Sequence, residues 1–343
     1  MAPDPAPTRI LLIRPSALGD VCRSVPVLAS LRGAYPDAEI DWLVQRGFED
    51  AVGHHPGLSR AIPFDRRRFG RVGNASGLIG WLRELRSHQY DLVVDAQGLL
   101  RSGLIALATG APRRVGHADA RELGWLPLTQ RVPTSAAHAV ERMMSLIDGI
   151  GLSRVEDMRL FTSEADRAAV LKQWPQLGHG RFVVIAPTSR WAAKRWPIER
   201  FDEVTHSLLD EGLTDSVFIA GGPGEEPQCA PLLARAERDP RVLNGVGKTS
   251  VGQLMAVIER ASLVIANDSA AVHMAVGFDR RIVALYGPTD IARVGPYQRD
   301  SDVIQHLRPG DRVAHKDDAQ VALMERISTN EVVEAARARV ADH

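Results

Sequence analysis

Short apolar runs alternate with longer amphipathic stretches down this chain, and the alternation fades once and then restarts. No other feature of the sequence constrains its fold more. Residues 9–14 (RILLIR) read as a buried strand, and residues 20–32 carry apolar side chains at helical spacing. Residues 40–44 and 61–64 read as strands, 78–85 as a helix, and 91–94 as a strand ending in Val-Val. Residues 99–108 and 139–150 have helical spacing. Strands that alternate with helices predict an α/β layer built on a mainly parallel sheet.

The pattern weakens between residues 152 and 180, a mixed-charge stretch containing Pro175. It then resumes with four buried-strand candidates, FVVIA (182–186), SVFIA (216–220), LVIA (263–266) and RIVAL (281–285). Helical stretches at 198–209, 225–236, 251–259 and 269–276 lie between and after them. A chain of 343 residues suits two domains. The reading divides them at residue 170, into 1–170 and 171–325. A last helix, capped by Thr329 or Asn330, lies in 326–343 and is expected to pack back toward the first domain. Two such halves make a cleft, where ligands usually sit.

Composition excludes several classes. Hydrophobic residues make up 45% and charged residues 24% of a chain with 42 basic and 42 acidic side chains. No apolar run approaches the ~18 residues of a spanning helix. The N-terminal stretch has no basic segment leading into a long apolar core, so no secretory signal is expected and the cytoplasm is the expected compartment. Cys22 and Cys229 sit in no CxxC pair, which argues against a disulfide framework or a cysteine zinc site, and no metal is expected. Balanced charge and 5% aromatic content argue against a nucleic-acid partner. The balance hides a local excess: residues 60–131 hold twelve arginines against six acids. Only four basic residues are lysines, at 172, 194, 248 and 316.

Chemistry-bearing residues cluster after the strands. Arg14-Pro-Ser-Ala-Leu-Gly-Asp20 follows the first strand, with Asp20 placed either to cap a helix or to serve as a general base. It contains neither GxGxxG nor GxxxxGK[ST]. After FVVIA, Thr188, Ser189 and Lys194 offer hydroxyls and a compact cation suited to a diphosphate, unless the loop is plain solvated surface. Gly221-Gly-Pro-Gly-Glu-Glu226 permits close approach to a ligand, and Lys248-Thr-Ser250 precedes a helix that Thr249 or Ser250 would cap. Asn267-Asp-Ser-Ala-Ala-Val-His273 opens a helix whose N–H groups, with Ser269, suit an anion; Asp268 suits sugar hydroxyls. His273 is either a site residue or a satisfied core histidine. Tyr286-Gly-Pro-Thr289 is a further rim loop. Most of these segments follow successive strands of one half, the arrangement of a nucleotide-bearing donor site.

The set RPSALGD (14–20), DAQGLLRSG (95–103), PTSRWAAKRWP (187–197), GGPGEE (221–226), GVGKTS (245–250), NDSAAVH (267–273) and YGPT (286–289) resembles the bacterial ADP-heptose:lipopolysaccharide heptosyltransferases over nearly the whole chain. The DAQG stretch, the RRR run at 66–68 and HAVER (138–142) look most like heptosyltransferase I, which adds the first heptose to the Kdo of lipid A. The resemblance implies a GT-B fold, two Rossmann-like domains with parallel sheets facing across a cleft. It implies a metal-independent, inverting transfer of L-glycero-D-manno-heptose from ADP-heptose, the donor substrate, to the inner core. Asp20 matches the general base, and Lys194, Thr188 and Ser189 match the positions that hold the diphosphate. Gly222, Glu225, Lys248, Thr249, Asp268, Ser269, Ala270 and His273 fall on the donor motifs. Ser16, Ala17, Gln97, Arg101, Arg67, Arg68 and Arg121 fall on the acceptor side, the arginines matching positions for an anionic, lipid-linked core. The arginine-rich window would also suit a peripheral hold on the inner membrane surface. Ala270 departs from the family, which usually has glycine there. Two other readings stay open: a GT-B enzyme with another nucleotide sugar or acceptor, and a non-catalytic nucleotide-binding homologue. Retention of both Asp20 and Lys194 argues against the latter.

Overall fold

A computed structural model describes residues 6–65, 75–314 and 316–341. The chain divides into two compact units, Met1–Phe161 and Thr162–His343. Each is built on one six-stranded sheet in which every pairing is parallel. This pair of sheets is the GT-B fold class.

In the first unit the strands are β1 (Arg9–Ile13), β2 (Glu39–Gln45), β3 (Arg60–Phe64), β4 (Leu92–Asp95), β5 (Arg113–His117) and β6 (Gln130–Val132), in the order β3-β2-β1-β4-β5-β6. In the second they are β7 (Phe182–Ala186), β8 (Ser216–Ile219), β9 (Val242–Asn244), β10 (Leu263–Asn267), β11 (Ile282–Leu285) and β12 (Val303–Ile304), in the order β12-β11-β10-β7-β8-β9. Read from the other edge, the second order repeats the first. The central strands are apolar on both faces because helices cover both. Ile10 pairs with Ile40 and Leu92, Val264 with Val184 and Ile282, and all six are fully buried. Each such side chain contributes roughly 1.5–3 kcal/mol of burial.

The order reverses direction between β1 and β4, and again between β7 and β10. Loops at the carboxyl ends of those pairs diverge and leave a crevice, the usual ligand position in such sheets. The segments that follow these four strands contain Ser16 to Asp20, Gln97, Thr188 to Lys194, and Asp268 to Ser269.

Several expectations shift. The units meet between Phe161 and Thr162, not at residue 170, because helix Glu164–Gln173 packs on helix Val251–Arg260 of the second unit. That helix buries only Val170, so it left little periodic signal. The last helix is Thr329–Ala341. It contributes Val332, Val333, Ala336 and Val340 to the second core. Its first turn is satisfied by Ser328, whose Oγ accepts from the Glu331 N–H at 3.3 Å. Among the described residues no helix is long and apolar enough to cross a membrane.

Candidate active site

In the first unit, β1 ends and the chain turns into helix Leu18–Arg23. Asp20 is the third residue of that helix, not its cap, and its Oδ2 accepts from the Ala17 N–H at 3.2 Å. Arg14 Nη2 lies 3.0 Å from the same oxygen, and Arg23 donates to Oδ1. Burial acts to raise the Asp20 carboxyl, but the Arg14 and Arg23 guanidiniums outweigh it and bring the group down to about 2. Asp20 is therefore ionised at any physiological pH. Its side chain is 24% exposed, and Oδ1 has a single bonded donor, which leaves acceptor capacity for one more proton donor.

The adjoining loop after β4 is set by Asp95. Its Oδ1 accepts from the N–H groups of Gln97 (2.9 Å) and Gly98 (3.2 Å), and Ser102 Oγ lies 2.8 Å from Oδ2. Gly98 takes a left-handed φ of 67° at this turn, which favours glycine. Gln97 Oε1 then accepts from the Ser16 N–H at 3.3 Å, tying the two loops together. The Arg121 N–H donates to Gly98 O at 3.0 Å, so Arg121 belongs to the same cluster of loops, and its side chain and that of Arg101 are exposed. Arg67 and Arg68 lie outside the described residues.

Asp95 itself is fully buried, and burial pushes its carboxyl up to about 6. A group whose folded pKa is raised gives its full stabilising contribution below the unfolded value of 3.8 and loses it as pH rises through about 6. Asp95→Asn does not titrate. Its unfolding free energy should therefore gain on the parent by up to about 3 kcal/mol between pH 4 and pH 7. Denaturant titrations across that range test this; a difference constant with pH would contradict it.

In the second unit the chain leaves β7 through Pro187 and reaches a single 3₁₀ turn, Ala192–Lys194. Lys194 Nζ lies 2.5 Å from Asp268 Oδ2, with both side chains nearly buried. Trp196, two residues on, anchors the turn. It is 2% exposed, donates from Nε1 to Ile327 O at 3.0 Å and stands edge-on to Phe201, with ring centroids 4.9 Å apart. Asn267 closes the arrangement: its Oδ1 accepts from the Trp196 N–H at 3.2 Å and its Nδ2 donates to Pro187 O at 2.6 Å.

Asp268 is followed by Ser269, the N-cap of helix Ala270–Gly277, whose Oγ is buried without a hydrogen-bond partner. An unpartnered hydroxyl at a helix N-terminus, beside an ammonium, suits an anion. Ala270 is the first helical residue, and His273 is buried one turn further on. Tyr286-Gly-Pro-Thr289 packs against the same 3₁₀ turn: a Cβ on Gly287 would stand 3.1 Å from Ala193 O. Thr289 Oγ1 is buried and also lacks a partner.

The remaining donor-motif residues gather beside Thr188 and Ser189, which are buried. The Ser189 N–H donates to Gln228 Oε1 at 3.3 Å. Glu225 Oε2 accepts from the Gly222 N–H at 2.7 Å, and Gly247 N–H donates to Gly221 O at 2.9 Å, which holds the two glycine loops together. A Cβ on Gly221 would stand 3.4 Å from Thr188 Cγ2, so Thr188 lies against these loops. Lys248 is exposed and Thr249 half-exposed. Ser250 is the cap of the next helix, in a reciprocal pair with Gln253, so that hydroxyl has a structural role.

The sequence reading missed the residues that brace the charged ones. Arg14, Arg23 and Asn267 stood inside or beside quoted motifs without an assigned role. His117, buried at the end of β5 and lowered to about 4 by burial, had no sequence signal, since β5 (RRVGH) has no apolar run. Among the described residues no group of three or more His, Cys, Asp or Glu is placed to hold a metal ion.

The profile of glycosyltransferase family 9 (heptosyltransferase) matches residues 80–320. Lipopolysaccharide heptosyltransferase 1 of Pseudomonas aeruginosa is 30% identical over 308 residues, covering 85% of this chain and 82% of that protein. Lipopolysaccharide heptosyltransferase 1 of Escherichia coli is 27% identical, covering 88% of this chain and 94% of its own length. Among solved structures, Escherichia coli heptosyltransferase WaaC with ADP superposes with a TM-score of 0.76 at 25% identity, covering 96% of this chain and 99% of that one. Escherichia coli ADP-heptose lps heptosyltransferase II gives a TM-score of 0.80 at 24% identity, covering 97% and 99%, and supports the fold.

Proposed function

The chain belongs to glycosyltransferase family 9, the heptosyltransferases, and on that premise we propose that it moves L-glycero-D-manno-heptose from ADP-heptose to the Kdo-bearing inner core of lipopolysaccharide. One observation carries the reading. Each sheet's reversal point bears one half of the required chemistry: an ionised carboxylate at Asp20 on the first, and an ammonium beside a helix N-terminus at Lys194 and Ser269 on the second.

The proposed reaction is a single inverting displacement without a metal. The acceptor hydroxyl oxygen bonds to the anomeric carbon as the bond from that carbon to the β-phosphate oxygen breaks. The hydroxyl proton passes to Asp20, and ADP leaves with the bonding pair. A carboxylate held near 2 is a weak base. It suffices because the hydroxyl becomes strongly acidic as it bonds to an oxocarbenium-like carbon. Lys194 exchanges Asp268 for the departing diphosphate, where negative charge develops, and Asp268 is released toward sugar hydroxyls. Arg101 and Arg121, with Arg67 and Arg68, are assigned to the anionic acceptor. The enzyme is assigned to the cytoplasmic face of the inner membrane, held peripherally, since its acceptor is lipid-linked.

Ala270 favours a second reading. Its methyl group stands at the helix start next to Asp268 and Ser269, where a bulkier sugar would be excluded, so another donor is possible chemically. A panel of ADP- and UDP-sugars offered with Kdo-lipid A separates the two. Transfer from ADP-heptose with inversion at the anomeric carbon is expected. Activity confined to a different donor would replace heptose in this reading.

A further inference from the structure

Five large apolar side chains of the first unit stand about half exposed: Ile79 (47%), Leu104 (50%), Leu107 (47%), Leu123 (56%) and Leu126 (53%). They come from neighbouring elements. Helix Leu100–Ala108 packs on helix Ala75–Ser87. It also meets the turn at 121–127 so closely that a Cβ on Gly103 would stand 2.6 Å from Gly124 O and 3.2 Å from Pro127 Cγ. On the helix, Ser102, Gly103, Ile105 and Ala106 face inward, which leaves Arg101, Leu104 and Leu107 on one outward stripe. On the turn, Glu122 and Leu123 both hold left-handed φ values, 57° and 62°, a conformation unfavourable for residues with a Cβ. The fold thus keeps large apolar groups in water on two adjoining surfaces, where a solvated protein has no use for them.

The surrounding charge selects the partner. Arg83, Arg86, Arg101 and Arg121 are exposed on the same three elements, against Glu84 and Glu122. The Arg86 guanidinium lies over the end of helix Leu100–Ala108, 3.1 Å from where a Gly110 Cβ would be. A second copy docked here about a two-fold axis would set arginines against arginines. A bilayer bearing anionic headgroups offers the opposite charge over an apolar interior.

We propose that the outward face of helix Leu100–Ala108 and the 121–127 turn form a docking surface for an anionic lipid bilayer. Leu104, Leu107, Leu123 and Leu126 enter the headgroup boundary, Arg83 and Arg86 lie among the headgroups, and Arg101 and Arg121 meet the anionic acceptor where it leaves the same bilayer surface. The proposal rests on the reading above that the acceptor is lipid-linked, and names the surface by which the enzyme reaches it.

The test is flotation of the full chain with phosphatidylcholine vesicles containing one quarter phosphatidylglycerol, against pure phosphatidylcholine. Partition should favour the anionic vesicles. Leu104→Ser/Leu107→Ser and Leu123→Ser/Leu126→Ser should each weaken it roughly tenfold. Leu307→Ser/Val313→Ser, which removes exposed apolar groups elsewhere, should leave it unchanged. Transfer to a water-soluble, deacylated acceptor should stay within twofold of the parent in all three variants. Loss of vesicle partition in the leucine variants of a chain that transfers no heptose to the soluble acceptor would sink the proposed reaction and leave the surface standing. Unchanged partition in both leucine variants, or equal loss in the Leu307/Val313 control, would overturn the surface. So would a change from dimer to monomer in the leucine variants with partition intact, which would make this face a contact between copies.

Discussion

Asp20→Asn is expected to lower kcat for heptosyl transfer by about 10³-fold while leaving ADP affinity within a factor of two or three. The amide retains an oxygen for the Ala17 N–H but cannot take a proton from the acceptor hydroxyl. The donor-side residues belong to a different unit, so nucleotide affinity, read by calorimetry, separates loss of the base from loss of the fold. Stability gives a second readout. The carboxylate sits between Arg14 and Arg23, which lowers its folded pKa to about 2 from an unfolded value of 3.8. A depressed carboxylate contributes stability above the unfolded pKa and loses it as pH falls through the folded one. The variant should be less stable than the parent by about 2 kcal/mol at pH 7, and the gap should close as pH falls from about 4 toward 2. Turnover within tenfold of the parent would remove Asp20 from the base role. A gap that persisted at pH 2 would show that the lost stability has some cause other than the Arg14–Asp20–Arg23 pairing.

Lys194→Met should have two separable effects. The first is on catalysis: kcat/KM for the donor should fall about 10²- to 10³-fold, because the leaving diphosphate loses its cation. The second is on the fold. Asp268 is nearly buried and would be left as an uncompensated carboxylate, a loss of roughly 3–5 kcal/mol. Lys194→Met/Asp268→Asn removes both charges and should recover most of that stability without recovering activity. If the double variant regained transfer, the low activity of the single variant would trace to misfolding and not to a missing contact with the diphosphate. If the single variant lost no stability, the pair would be a loose surface contact, contrary to its burial.

The central strands were legible because burial on both faces writes continuous apolar runs: RILLIR, FVVIA, SVFIA and LVIA each coincide with a strand to within a residue or so at either end. Strands β5 and β6, at one side of the first sheet, were not. Strand β5 reads Arg-Arg-Val-Gly-His and β6 is three residues long. Their polar side chains find partners at the sheet's rim, as where Arg114 Nε donates to Pro127 O at 2.8 Å, so no apolar run is required. The candidate site was legible where it depends on residue type just past a strand, as with Asp20, Lys194 and Asp268. It was illegible where it depends on pairing. Nothing in the order of residues announces that Asp268 holds Lys194 across 74 positions, or that Arg14 and Arg23 converge on one carboxylate. The packing of the tail was equally faint in the sequence. A helix with little apolar bias in its average can still place Val332, Val333, Ala336 and Val340 on one buried face.

That tail also has a consequence for the order in which the protein matures. All six strands of the first sheet come from one uninterrupted segment ending before Phe161. The carboxylate and its two guanidinium partners can thus settle while the remainder is still being translated, an interval of roughly ten seconds or more at ribosomal speeds. The second core has no such independence. Trp196, which holds the lysine-bearing turn, hydrogen-bonds to Ile327 and shares its cluster with Val332, Val333 and Val340. The lysine-bearing turn therefore stays unfinished until the stretch through Val340 has emerged from the ribosome, and on the proposed reading a nascent chain cannot engage the donor before then.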